Sequence, residues 1–315
     1  MKRIHIVFIL LFIMLTGCKT SQTPAPSNEQ DNNQTQPQDF VQHSPFHGVK
    51  NKQGLLQILI VGVDSRGEKQ SRSDAIMVAQ YNSKTKKAKL VSIMRDCYVK
   101  IPSPTQQYNK INMAYYYGGA ELLRKTIKEN FNLDVEHFVA IDFQGFIKVV
   151  DMIAPEGIEV NVKQTMIDDM GLHLAPGLQR LHGKDLLAYT RFRHDAESDF
   201  GRVKRQQEVL HALKDAFTNK TSSLDGMFHL PGMGQELLKY IDTDMKTQTL
   251  LAIGGSILLN PINEVKAMRV PVDSSYTDIF SQRVGAALQL DLDKNRAALK
   301  EFFIYEPTPV HEQTK

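Results

Sequence analysis

The chain has 315 residues, with 38 Lys and Arg against 35 Asp and Glu and a formal charge of +3. So mild a balance excludes a surface built throughout to bind a polyanion, and any basicity that serves a function must be local. Two cysteines, Cys18 and Cys97, permit one disulfide at most, and none if Cys18 is modified, so stability has to come from packing.

The first eighteen residues read as an address. Lys2 and Arg3 precede an almost wholly apolar run from Ile4 to Leu15, which Leu15-Thr16-Gly17-Cys18 closes. The run is too short to span a bilayer comfortably, and the small residues after it mark an export signal. Its Cys18 matches the pattern of a bacterial lipoprotein signal, cut before the cysteine so that the thiol carries a lipid. A plain secretory signal or a membrane anchor, with Cys18 incidental, is the alternative. Either one places the chain outside the cytoplasm. Residues 19–47 are mostly Gln, Asn, Ser, Thr and Pro, with little to bury, and predict a disordered tether in which His43 and His47 are no metal site. The composition then turns globular, which predicts one domain over 48–307 and a tail at 308–315.

Within that domain, "LLQILIVGVDS" (55–65) is a continuous apolar run that predicts a buried strand. "AIMVAQYN" (75–82) and "AKLVSIMRD" (88–96) predict two more, joined by a polar turn. After Gly118-Gly119, "AELLRKTIKENF" has helical spacing. A strand at 137–143, a helix at 144–153 and a strand at 157–162 follow. Helices are expected around 183–190, from about 201 and at 247–259, then a strand at 265–272 and a last helix within 281–303. The interleaving predicts an α/β (α+β) single domain, a central mixed β-sheet flanked by helices. "DLDKN" (291–295) begins like a calcium loop, but the glycine required at the sixth position is Arg296.

Charge concentrates in "RFRHDAESDFGRVKRQQEVL" (191–210). On a helix from Gly201, Val203, Leu210, Leu213 and Phe217 make one apolar face. Gln206 falls on that face and Arg202 on its edge, whereas Lys204, Arg205 and Glu208 point to water. An inward arginine needs an anion. A structural pair with Asp195, Glu197 or Asp199 is one answer. The other is a phosphate or pyrophosphate, held by Arg202 with Arg191 and Arg193, which share a side if their segment is extended, at a helix N-terminus. Upstream, Asp64 and Asp74 stand at strand ends a loop apart, where two carboxylates suit Mg²⁺. Asp64 as a turn cap is the plainer reading. Arg95 and Asp96 close the third strand, at the end where α/β sheets place ligands, or simply pair with each other. Cys97 has no histidine in an interpretable arrangement and reads as a buried residue. Tyr115, Tyr116 and Tyr117 could stack on sugar rings or pack in the core. There is no Gly-x-Ser-x-Gly, no His-Glu-x-x-His and no P-loop.

"LIVGVDSR…RSDAIMVA", "VSIMRDCYVKIP", "KINMAYYYGG", "APGLQRLHGKDLLAY" and "LLAYTRFRHDAESDFGRVKRQQ", between residues 55 and 215, resemble the LytR-CpsA-Psr family. The resemblance implies transfer of a glycopolymer, of the teichoic acid or capsule type, from a polyprenyl-pyrophosphate carrier to a muramic acid hydroxyl of peptidoglycan. It implies Mg²⁺, or Mn²⁺, on Asp64 and Asp74. It further implies pyrophosphate on Arg72, Arg95, Arg191, Arg193, Arg202 and Gln206, and an apolar tunnel for the prenyl chain. Two features depart from the family pattern: "IAPEGIEV" replaces a Gly-Gly-Val stretch, and a lipid anchor replaces an uncleaved membrane helix. Phosphoryl transfer would then rest on Mg²⁺ and arginines stabilising the leaving phosphate, with Arg95 in the reacting centre and Asp96 or Asp199 as candidate bases. A polyprenyl-pyrophosphate hydrolase and a non-catalytic lipid-carrier sensor are the competing readings. The export signal and the lack of a recognition helix argue against nucleic acid as a partner.

Overall fold

Strand β1 (Leu56–Asp64) is apolar on both faces because it lies inside a sheet, and the sheet decides which face closes. In the computed structural model, described over residues 45–51, 55–64, 71–103, 107–221, 232–259 and 261–303, β1 is an inner strand of six. Its neighbours are β2 (Arg72–Asn82), antiparallel, and β6 (His137–Asp142), parallel. Beyond β2 lie β3 (Lys87–Ile93) and β10 (Glu264–Val270), and beyond β6 lies β9 (Ile241–Thr243). With β10 parallel to β3, the sheet is mixed, as the sequence predicts.

Leu59, Val61 and Val63 close the main core against helix α1 (Asn112–Phe131) and Leu299 of helix α7 (Leu292–Phe302). The alternate residues of β1, Leu56, Ile58, Ile60 and Gly62, are only half-buried. A second apolar core joins helix α2 (Phe143–Ile153), the hairpin β7 (Ile158–Val162) and β8 (Gly177–Leu181), helix α4 (Gly183–Arg191) and helix α5 (Ser198–Thr221). The short helix α3 (Gln164–Met170) supplies Met166 to it. Helix α6 (Thr247–Leu259) stands where the apolar run predicts.

A second sheet was not legible in the sequence. It orders β11 (Tyr276–Ser281), β12 (Gly285–Leu290), β4 (Cys97–Lys100) and β5 (Tyr108–Lys110). The helix expected within 281–303 does lie there, but β12 takes the first part of that window, and the helix begins only after Asp291, whose carboxylate accepts from the Lys294 N–H as an N-cap. That cap is the work of the calcium-like "DLDKN". Helix α1 starts earlier than expected, at Asn112, and Gly118-Gly119 kink it instead of preceding it. Gly119 has φ 62° and ψ −155°, a backbone state that a side chain would strain.

The first described segment forms a strap. Phe46 stacks on Phe138 with ring centroids 4.9 Å apart, and the Val49 N–H donates to the Val135 carbonyl at 2.8 Å. Between them the His47 N–H donates to Glu121 Oε2 at 3.0 Å, and Arg124 grips the same carboxylate with Nε and Nη2. Among the described residues, Phe46 and His47, which precede the expected boundary at 48, are already docked. Cys18, the signal, the rest of the tether and the tail at 308–315 lie outside the described residues. Among the described residues, no helix is long and apolar enough to cross a membrane.

Candidate anion site at the strand ends

The pairings bring the C-terminal ends of β1, β3, β6 and β10 to one edge of the sheet, where β2 begins. Asp64 closes β1 directly opposite Arg72, which is exposed. The register then slips: Val63 faces Ser73 but Gly62 faces Ala75, so Asp74 is the extra residue of a β-bulge. Bulges re-aim side chains near sites. Here the displaced Asp74 places Oδ1 2.5 Å from Arg95 Nη1.

Arg95 and Asp96 form a turn between β3 and β4. The turn is pinned by the Met94 N–H on the Val270 carbonyl and the Cys97 N–H on the Met94 carbonyl, at 2.8 and 3.1 Å. Cys97 is fully buried, and burial pushes its thiol well above the ordinary range, so it anchors the turn and is no nucleophile. Arg95 Nε lies 3.5 Å from Asp96 Oδ2, and Lys110 Nζ lies 2.9 Å from Asp96 Oδ1. Desolvation works against the Arg95 charge, but Asp74 and Asp96 outweigh it and hold the guanidinium above its usual value.

Opposite this turn stands the start of α5. Arg202 is 4% exposed, and its Nη2 meets both Asp199 oxygens at 2.9 and 3.0 Å. Burial raises the Asp199 carboxyl above its usual range, against the pull of Arg202, Arg95 and Arg193. Burial lowers the Arg202 guanidinium, opposed by Asp199 and reinforced by Arg95 and Arg193. Arg95, Arg193 and Arg202 therefore feel one another's charge, and with Asp74, Asp96 and Asp199 they form one electrostatic cluster. The buried Nε atoms of Arg95 and Arg202 have no hydrogen-bond acceptor among the described residues. Orphaned donors of this kind are costly, and an anion could relieve them.

The remaining residues fall less neatly. Arg191 and Arg193 are both exposed on either side of fully buried Phe192, but Arg191 ends helix α4 and is not in an extended segment. Its guanidinium lies over the Phe143 ring, 4.3 Å from the centroid. Gln206 is half-buried; its neighbour Gln207 makes the inward contacts, donating to Ser92 Oγ and the Met268 carbonyl at 2.9 and 3.0 Å. Arg205, expected in water, is 5% exposed and bonds Asp195 Oδ2 at 3.0 Å and the Phe192 carbonyl. The reason is that α5 is flanked on two sides, by β10 and by α4, so its buried arc exceeds the single apolar stripe. Lys204 and Glu208 are exposed as expected. Lys110 was missed by sequence reasoning, and only the pairing of β5 with β4 brings it to Asp96.

The profile of the LytR_cpsA_psr family matches residues 13–301. The chain belongs to the LytR-CpsA-Psr family. Among LytR-CpsA-Psr relatives, "Regulatory protein MsrR" of Staphylococcus aureus (strain COL) is 40% identical over 257 residues, 82% of this chain and 77% of that one. "Polyisoprenyl-teichoic acid--peptidoglycan teichoic acid transferase TagU" of Enterococcus faecalis (strain ATCC 700802 / V583) is 34% identical over 201 residues, 62% of each chain. The solved structure "TagT bound to LIIa-WTA" aligns with TM-score 0.63 at 30% identity, over 79% of this chain and 89% of that one. A second, "LytR-CPS2A-psr family protein YwtF (TagT) with bound octaprenyl pyrophosphate lipid", aligns with TM-score 0.58 at 27% identity, over 79% of this chain and 90% of that one. A LytR-CpsA-Psr fold with its arginines at the strand ends is thus the frame for the chemistry.

Proposed function

We propose that this chain transfers a glycopolymer from a polyprenyl-pyrophosphate carrier to peptidoglycan, outside the cytoplasm, from a lipid anchor on Cys18. The observation that carries the reading is a continuity along β1. Leu56, Ile58, Ile60 and Gly62 form a half-buried apolar row on one face, and the next residue on that face is Asp64, beside the arginine cluster. At ~3.3 Å per residue the row with its acidic end is about 26 Å long. An apolar chain capped by an anion has that polarity. The bound octaprenyl pyrophosphate and LIIa-WTA of the TagT structures support the same ligand class.

Arg95 and Arg202 would hold the pyrophosphate, with Arg193, Arg191 and Arg72 at its exposed side. Guanidinium forks grip phosphate oxygens bidentately and offset the charge that builds on the departing prenyl phosphate. Gln206 stands one turn beyond Arg202 and would reach the same anion. Asp64 and Asp74 would hold Mg²⁺: two carboxylates at a solvent-reached strand end leave coordination sites for water and phosphate oxygens, as that ion requires. When bound, the ion would neutralise phosphate charge as a Lewis acid. Asp199 is a candidate base for the attacking hydroxyl, because burial raises its carboxyl above the ordinary range against the pull of Arg202, and Asp96 is the other.

The test is a transfer assay on the purified full-length chain with a short-chain polyprenyl-pyrophosphate oligosaccharide, peptidoglycan oligomers and Mg²⁺, read by mass spectrometry. A glycan–phosphate–peptidoglycan adduct, absent with Asp64→Ala or Asp74→Ala, is expected. Donor cleavage without adduct would replace the transferase by a hydrolase. Donor binding without any consumption would replace it by a lipid-carrier sensor, the role in keeping with the name of MsrR.

A further inference from the structure

Helix α6 reads "TQTLLAIGGSILL", without one charged residue. From Leu250 onward apolar residues fall on every side of it, and such a helix is stable only where its whole surface is covered. Yet none of its described side chains is buried: Leu250, Ile253 and Ile257 are half-buried and Leu251 is 56% exposed. Strand register gives its place. β9 runs antiparallel to β6 and ends at Thr243, beside Val139, and the next residue, Asp244, accepts from the Phe138 N–H at 2.8 Å. The chain thus enters α6 at the edge where β6 begins, opposite the anion site. It leaves at the same edge, because the Asn263 N–H donates to the Lys86 carbonyl at 2.9 Å and Glu264 pairs with Lys87, the first residue of β3. From β9 to β10 are five strand spacings, together about 24 Å. Thirteen residues of helix cover about 20 Å. With both ends held at one edge and no length to spare, α6 spans that edge from side to side.

We propose that α6 is a membrane-docking helix, which lies in the headgroup region of an anionic bilayer and holds the anion site at the far edge of the sheet. The purpose of such docking rests on the transfer reading above; the contact itself does not. At 13 residues α6 is too short to span a bilayer and suits its interface, where apolar side chains sink among acyl chains. Anionic headgroups call for cations, and α6 has none of its own. The same edge supplies them. Lys246 directly precedes α6, Lys84 and Lys86 stand in the β2–β3 turn to which Asn263 is bonded, and Lys50 follows Val49 in the strap. None of the four forms an ion pair among the described residues. Asp244, Glu264 and Asp134, by contrast, are taken, by His137 at 2.7 Å, Lys87 at 3.2 Å and Lys128 at 2.7 Å.

Two further observations turn the same edge toward the membrane. The strap joins the fold there: Phe46 stacks on Phe138 and the Val49 N–H bonds the Val135 carbonyl, both around the start of β6. The chain leading from Cys18 therefore arrives at this edge. The apolar row of β1 begins there as well, at Leu56, and runs to Asp64 beside the arginines. A prenyl chain whose tail stays in the bilayer can enter the row at Leu56 and lay its pyrophosphate in the anion site without crossing water. Docking through α6 fixes that orientation, which an anchor on Cys18 alone does not.

The chain contains no tryptophan, so one placed on α6 reports alone. The experiment uses the full-length chain with Leu251→Trp, and with Lys204→Trp, two residues beyond Arg202 on α5, as control; both positions are exposed. Each protein is mixed with phosphatidylcholine–phosphatidylglycerol vesicles whose acyl chains are plain or brominated. On vesicles the Leu251→Trp emission is expected to shift about 10 nm to the blue and to lose about half its intensity to brominated chains. Lys204→Trp should emit as in buffer. Lys84→Glu together with Lys246→Glu should reduce the quenching of Leu251→Trp about twofold or more at an unchanged melting temperature. A water-like, unquenched Leu251→Trp signal on vesicles that carry the chain would overturn the proposal, and so would equal quenching of the Lys204→Trp control. A blue shift produced by short-chain polyprenyl pyrophosphate without vesicles, and unquenched by brominated chains, would also overturn it and assign α6 to the carrier. None of these readouts needs transfer, so failure of the transfer assay and failure of docking are told apart.

Discussion

Asp74, the extra residue of the β2 bulge, lies with Oδ1 2.5 Å from Arg95 Nη1. The same guanidinium has Nε 3.5 Å from Asp96 Oδ2, an ion-pair distance without a hydrogen bond, so one planar group stands between two carboxylates on different segments. A lysine cannot reproduce that geometry. Arg95→Ala and Arg95→Lys are therefore both expected to weaken donor binding more than tenfold, with Lys giving little rescue. Donor titration monitored by intrinsic tyrosine fluorescence checks this, and a Lys variant with wild-type affinity would remove the bidentate role.

The Arg202–Asp199 pair is buried, and breaking one side leaves the other charge uncompensated. Arg202→Met should cost about 3–5 kcal/mol, and the double variant Arg202→Met with Asp199→Leu should recover much of it. Urea denaturation of the four proteins provides the cycle. Donor binding should be lost in both variants, which separates the arginine's ligand role from its structural one.

Arg205 and Lys204 are adjacent in sequence and opposite in environment. Arg205→Ala removes bonds to Asp195 and the Phe192 carbonyl and leaves the half-buried Asp195 unpaired. A loss of about 2–4 kcal/mol is expected. Lys204→Ala, fully on the surface, should stay within about 0.5 kcal/mol. Equal denaturation midpoints for the two would contradict the inward placement of Arg205.

Glu121 sets an acid-side limit on stability. Burial alone would raise its carboxyl, but hydrogen bonds from Arg124, the His47 N–H and Lys125 prevail and hold it at about 2, against an ordinary 4.5. A carboxyl lowered in the folded state contributes its stability above the ordinary value and loses it as pH falls from 4.5 toward 2. Asp199, raised in the folded state, has the opposite slope: its contribution is most favourable below 3.8 and falls as pH rises. Denaturation midpoints between pH 3 and 7 should therefore flatten with Glu121→Gln and steepen with Asp199→Asn.

The strap makes a further prediction about where the domain may be cut. A chain beginning at residue 44 keeps Phe46 on Phe138 and His47 on Glu121; one beginning at 48 loses both. The shorter chain should melt lower by several degrees, about 1–3 kcal/mol for a half-buried aromatic and a hydrogen bond to a charged group. Equal melting temperatures would show that the strap adds no stability.

Much of this protein is legible in its residues taken in order. Apolar runs and turn residues place β1, β2, β3, β6 and most helices, because those signals are local. The same holds for the strand-end positions of Asp64, Asp74, Arg95 and Asp96 and for the inward lean of Arg202, since a 3.6-residue period fixes which side chains share a helix face. The second sheet was not legible, because β4 and β5 are only four and three residues long and the β11–β12 hairpin joins them only through the pairing of β12 with β4, far away in the chain. For the same reason Lys110 reached the site, Gln207 displaced Gln206 from the inner contact and Arg205 turned inward only in three dimensions. Periodicity states which residues lie together on one element; how many sides of that element other elements cover is decided when they pack.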